Sequence, residues 1–136
     1  MLSPSYHVSH ITIAAANELL NIGLAAARQQ DMAVSIAIVD RAGLLVAFAR
    51  MDQAAIVSIN VAQGKARTAA SIEDSSERFE QMINQGQTAM LTVPDLLPLK
   101  GGLPLLFEGQ IIGAVGVSGS SGENDLQVAR SIANAL

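Results

Sequence analysis

The chain has no cysteine and no tryptophan, and only one tyrosine and three phenylalanines among its 136 residues. Without a thiol there is no disulfide, no thiolate nucleophile and no cysteine-ligated metal. Charge is scarce at 15% of residues, and twelve acidic side chains outnumber eight basic ones. A net charge of −4 leaves no basic face for a phosphate backbone, so nucleic acid is not an expected partner. No apolar run approaches the ~20 residues needed to cross a bilayer, so no membrane partner is expected either. The segment Met1-Leu2-Ser3-Pro4-Ser5-Tyr6-His7 lacks the basic start and apolar stretch of a secretory leader. The cytoplasm is the expected location.

What remains is rich in alanine, glycine and aliphatic residues. Half the residues are hydrophobic, enough for one real core, and the length suits a single domain over 1–136. A core of small side chains brings elements close but buries little area per element. Association with further copies of the chain is the natural remedy.

Periodicity orders the elements. Residues 12–30 read as a helix whose apolar arc covers about half the wheel, wider than the ~100° stripe that one packing surface needs. Ser9 or Thr12 can cap it. Ala33 to Val39 alternates β-branched and small residues as a strand; Asp40-Arg41-Ala42-Gly43 is a turn, with Gly43 suited to positive φ; and Leu44 to Arg50 returns. Ala54 to Ala70 reads as a second helix, with Ser58, Ala62, Lys65 and Ala69 in a small-residue seam holding one charge. A shorter helix spans 75–85 and stops at Gly86. Pro94 and Pro98 break up 87–99, leaving loop with room for one short strand. Strands at 103–107 and 111–118 form a second hairpin, and a last helix spans 123–135. The order predicts an α/β (α+β) fold, an antiparallel sheet flanked by helices, and not a doubly wound nucleotide fold.

Chemistry-bearing residues are few. His7 and His10 share a side if their segment is helical; either can ligate a haem iron, but two histidines alone make a poor bare-metal site. Arg50 and Asp52 stand where a strand ends; they read as ligand groups, or as an ion pair in which Asp52 caps the second helix. Lys65 on its small-residue face needs a partner if buried. Lys100 flanks the double glycine Gly101-Gly102. Lys65, Lys100 and Arg50 are suited to the carboxylates of a tetrapyrrole or small organic acid. Ser118 and Gly119 lie in the glycine-rich stretch 113–122, which reads either as an anion cradle or as close helix-on-strand packing with Ser120 capping the last helix. Glu123 and Asp125 already complement that helix dipole. No arrangement of Ser, His and Asp, and no spacing of paired carboxylates, gives positive support to catalysis.

Several pieces in order resemble one family. Ala37-Ile38-Val39-Asp40-Arg41-Ala42-Gly43, Ala49-Arg50-Met51-Asp52 and Gly64-Lys65-Ala66-Arg67-Thr68-Ala69 are similar to the GlcG/HbpS-like (DUF336) family. So are Gly101-Gly102-Leu103-Pro104, Gly109, Ile112 to Gly119, and Asp125. The resemblance implies a profilin-like fold with a five-stranded antiparallel sheet, assembled as a homo-oligomer from dimer to octamer. It also implies a binding module for haem or a related tetrapyrrole, an accessory protein more than an enzyme, because the family includes a secreted haem-binding sensor component. The family further includes the C-terminal domain of PduO-type corrinoid adenosyltransferases, which this chain resembles without the adenosyltransferase half. Service to cobalamin-dependent diol or glycerol metabolism, or to glycolate metabolism, follows as an expectation. The alternative is a small-molecule enzyme or metabolite-processing subunit acting on an organic acid or aldehyde, with Arg50, Asp52 and Lys65 at its site.

Overall fold

The computed structural model describes every residue from Met1 to Leu136. After an irregular N-terminal arm come α1 (Ile13–Gln29), β1 (Ser35–Asp40), β2 (Leu45–Arg50), α2 (Ser58–Ile72) and α3 (Ser76–Asn84). A 3-10 turn (Thr88–Thr92), β3 (Gly102–Phe107), β4 (Gln110–Ser118) and α4 (Gly122–Ala133) complete the chain. The mixed α+β architecture with an antiparallel sheet is as the sequence implies. The strand count is not: the sheet has four strands in the order β2-β1-β4-β3, not five. The short strand expected within 87–99 is absent for a physical reason. Asp95 takes a left-handed conformation (φ 62°), and α2 ties the segment down through its side chains instead of a sheet edge. Arg67 Nε donates to Asp95 O at 2.9 Å, and Leu97 N donates to Thr68 Oγ1 at 2.8 Å.

Alternation along the central strands sorts two cores. Ile36, Ile38, Val115, Val117 and Leu105 face α1 and α4, meeting Ala16, Leu19, Val128, Ala129 and Ile132. Ala37, Val39 and Ala114 face α2, meeting Ala62, Ala66, Ala69 and Ala70. The second core is almost all alanine because helix and sheet nearly touch there. A Cβ added at Gly116 would lie 2.0 Å from Ala62 O and 2.5 Å from Ala66 N. The small-residue seam of α2 is therefore a contact surface for backbone.

Caps define the helix ends. Thr12, not Ser9, caps α1, accepting from Ala15 N. Ser75 caps α3, and Ser121 caps α4 in place of the expected Ser120. α2 begins at Ser58, four residues later than the sequence suggests, because Gln53 adopts φ 69° and residues 52–57 turn before the helix can start. Its N-cap is Val57, without a side-chain acceptor, so Asp52 does not cap it. The wide apolar arc of α1 is only partly used: Ala16, Leu19, Gly23 and Ala27 are buried, while Ile13 and Ile22 stay exposed.

Candidate functional site

The structure distributes the residues singled out by sequence over three places. In the first, Lys65 meets the loop before β3 and the start of α4. Lys65 is 3% exposed, and its ammonium donates to Val117 O at 2.8 Å and to Asp125 Oδ2 at 3.1 Å. Asp125, 2% exposed, accepts from Ser120 N at 2.9 Å through its other oxygen. Burial pushes the Lys65 ammonium below its ordinary pKa of 10.5, and the Asp125 carboxylate opposes that shift without cancelling it. Gly101 and Gly102 close over this pair: a Cβ on Gly101 would lie 2.8 Å from Lys65 Nζ, and one on Gly102 would lie 2.3 Å from Lys65 O. Gly102 N donates to Ser76 Oγ at 2.8 Å, which holds the loop against α3. Lys100 points its charge outward, 3.1 Å from Glu123 and 3.8 Å from Glu77. Ser118 is nearly buried at the end of β4, and Gly119 (φ 136°) would drive a Cβ to within 2.6 Å of Ala33 O.

Six sequence candidates thus converge here: Lys65, Lys100, Gly101, Gly102, Ser118 and Gly119. They form a closed structural knot in which the cations already have carboxylate partners. Sequence reasoning missed Asp125 as the partner of Lys65, because it sits 60 positions away and has an adequate local role at the helix N-terminus.

The second place holds Arg50 and Asp52. They line a cleft of about 310 Å³ with Leu24, Arg28, Ala49 and Met51, between the last turn of α1 and the end of β2. Arg50 and Asp52 do not form the ion pair that one reading proposed: no ion pair or side-chain hydrogen bond of either is present.

The third place belongs to His10. The arm is not helical, so His7 and His10 do not share a helical face, and His7 is exposed. Ile11 N donates to Ile112 O at 2.9 Å, which stitches the arm to the sheet. That leaves His10 on a mainly apolar cleft of about 350 Å³ with Ile11, Ile112, Phe107 and Leu136. His10 Nδ1 accepts from Arg41 N at 3.2 Å and stands 3.9 Å from Asp40 Oδ2. The other Asp40 oxygen accepts from Ala42 N and Leu44 N, which fixes the carboxylate within the β1–β2 turn. Asp40 and Phe107 enter through the fold alone; nothing local ties either to the arm.

No three His, Cys, Asp or Glu side chains converge to hold a bare metal ion. No helix is long and apolar enough to cross a membrane. A haem brings four ligands of its own and asks the protein for one or two. The third place fits that request: one imidazole, apolar walls, and a fixed carboxylate 3.9 Å from its Nδ1. In the structure Arg41 N occupies the Nδ1 lone pair, so the proton of the neutral ring is on Nε2. Ligation through Nε2 would need the proton on Nδ1, where it would oppose the Arg41 N–H, so the ring must give up that hydrogen bond and turn to bring Nδ1–H to Asp40, the usual orienting partner of a ligating histidine.

Comparison with known proteins gives a consistent picture. The family model described as haem degrading protein HbpS-like matches residues 11–134. Protein GlcG of Escherichia coli (strain K12) is 44% identical over 103 residues, 76% of this chain and 77% of that protein. The crystal structure of Klebsiella pneumoniae protein ORFY, of family DUF336, superposes with a TM-score of 0.93 at 31% identity, covering 98% of this chain and 95% of that one. The crystal structure of a PduOC:heme complex superposes with a TM-score of 0.84 at 26% identity, covering 93% and 95%.

Proposed function

The chain belongs to the HbpS-like family, and from that premise we propose that it binds haem, with His10 as the iron ligand and Asp40 as the group that orients it. The observation that carries the reading is the His10–Asp40 approach of 3.9 Å at the edge of an apolar cleft. Neither half suffices alone. An apolar cleft without a ligand is a greasy dent, and a histidine without a fixed tautomer is a poor metal base. The likeness to the haem-bound PduOC structure supports the same ligand. Bound haem supplies an iron centre for ligand binding or electron exchange. The chain contributes the imidazole, its orientation, and the Ile11, Ile112, Phe107 and Leu136 walls that exclude water.

At about 350 Å³ the cleft is at the small end of ligand sites, so it holds one edge of a macrocycle. A second copy of the chain covering the remainder belongs to the same proposal. So does a role in glycolate or in diol and glycerol metabolism within the cytoplasm, which rests on the family resemblance.

Titration with haem, followed by absorbance, tests the reading. The wild type is expected to shift the Soret band from its free-haem position, and His7→Ala to behave identically. His10→Ala abolishes the shift. Asp40→Asn, which keeps an oxygen acceptor for the turn, weakens binding by about 10-fold or more. A wild-type spectrum equal to that of free haem, or an unchanged spectrum in His10→Ala, defeats the proposal.

A further inference from the structure

Most of the cationic side chains of this chain have a protein acceptor. Arg41 bridges Glu73, Lys65 bridges Asp125, Arg78 bridges Asp74 and Lys100 bridges Glu77 and Glu123. Arg67 gives its Nε–H to Asp95 O. Three of the eight cationic side chains have no protein acceptor: Arg28, Arg50 and Arg130. Two of these three, Arg28 and Arg50, line one cleft, together with the equally unpartnered Asp52. Leu24 and Arg28 are one helical turn apart on α1, so an apolar wall and a guanidinium face the cleft together. Arg28 gains from the negative end of the α1 dipole, but that interaction uses none of its five N–H donors.

From this arrangement we infer that the cleft between α1 and the end of β2 is a second ligand site, for a small carboxylate with a hydrogen-bond donor on the neighbouring carbon. The two guanidiniums match a carboxylate group, which a planar fork grips with paired N–H···O bonds. Asp52 accepts from the adjacent hydroxyl or ammonium, and Leu24 and Ala49 cover a short aliphatic remainder. The cleft is independent of His10. α1 separates them, rising about 17 Å from Ile13 to Leu24, more than haem propionates on the same His10 can span. Failure of the haem titration therefore leaves this site standing, and its own failure leaves the haem reading intact.

Three isosteric probes separate the sources of the donor: propionate has none, L-lactate has a hydroxyl and L-alanine has an ammonium. Each is titrated into the full chain with backbone amides followed by NMR. The expected result is saturable shifts at the end of α1 and at 49–52, with lactate or alanine binding more tightly than propionate. Arg28→Gln and Arg50→Gln each weaken that binding by about tenfold, while Asp52→Asn removes the preference over propionate. All three positions are exposed, so the variants keep the fold, which the amide spectrum itself reports. Absence of saturable shifts with every probe, or equal affinity in Arg28→Gln, Arg50→Gln and wild type, overturns the inference.

Discussion

Lys65 shows what a single buried charge asks of its surroundings. Removing its ammonium leaves Asp125 charged, buried and short of a partner, so Lys65→Met is expected to cost about 3–5 kcal/mol in urea unfolding. Lys65→Met with Asp125→Leu removes both charges and recovers most of that loss. The pH dependence has a definite sign. Because burial holds the folded pKa of Lys65 below 10.5, the unfolded chain binds a proton that the fold sheds between those two values. Stability contributed by this group therefore rises with pH across that window and is lost as pH falls through the folded pKa. The gap between wild type and Lys65→Met should widen as pH rises past the folded pKa toward 10.5. Lys100, whose pKa is raised by its bond to Glu123 and then by Glu77, titrates above that range and does not interfere. A gap that stays constant or narrows contradicts this account. Lys65 was legible in the sequence as the lone charge in a small-residue seam; its partner was not, because Asp125 already had a sufficient local role at a helix start. His10 was legible as a ligand type, but Asp40, 30 positions away, came within reach only because Ile11 is tied to Ile112 on the sheet.

At the scale of elements, the glycines of α2 and β4 have opposite meanings. Gly116→Ala would place a methyl group against the backbone of Ala62 and Ala66, which cannot yield unless α2 lifts from the sheet. Overpacking of backbone on backbone is expected to cost at least about 3 kcal/mol. Gly64→Ala meets the Leu97 side chain at Cδ1 and Cγ and no backbone, so that side chain must turn aside, while alanine suits a helix interior better than glycine. Its net cost should be smaller than that of Gly116→Ala, because a side chain can move aside where backbone cannot. Thermal unfolding of the two variants side by side checks the contrast. Both hairpins and all four helices could be read from alternation and helical period, because those patterns are local. The stretch 87–99 misled because its pairing is decided by Arg67 and Thr68 on another element, which no local pattern announces.

For the whole molecule, the unused apolar surface matters most. Ile13 on α1, Leu44 and Leu45 at the start of β2, and Ile56 and Val57 before α2 all remain at least half exposed. They belong to ordered elements and turns, beyond the scattered exposure that any surface tolerates. Sedimentation or light scattering is expected to give a multiple of the 14.1 kDa chain mass, and replacing Leu44 and Leu45 by Glu should lower that multiple. A monomer of 14.1 kDa at micromolar concentration would refute the homo-oligomer.

The sheet has two outer strands, and they are not alike. Pro104 stands within β3 and lacks an N–H, so the outward row of donors on that side is interrupted. β2 contains no proline. Growth of the sheet by strand addition is thus possible from one side only. Two copies meeting through that side exhaust each other in a two-fold pair, whereas a sheet with two receptive sides would propagate as a fibre.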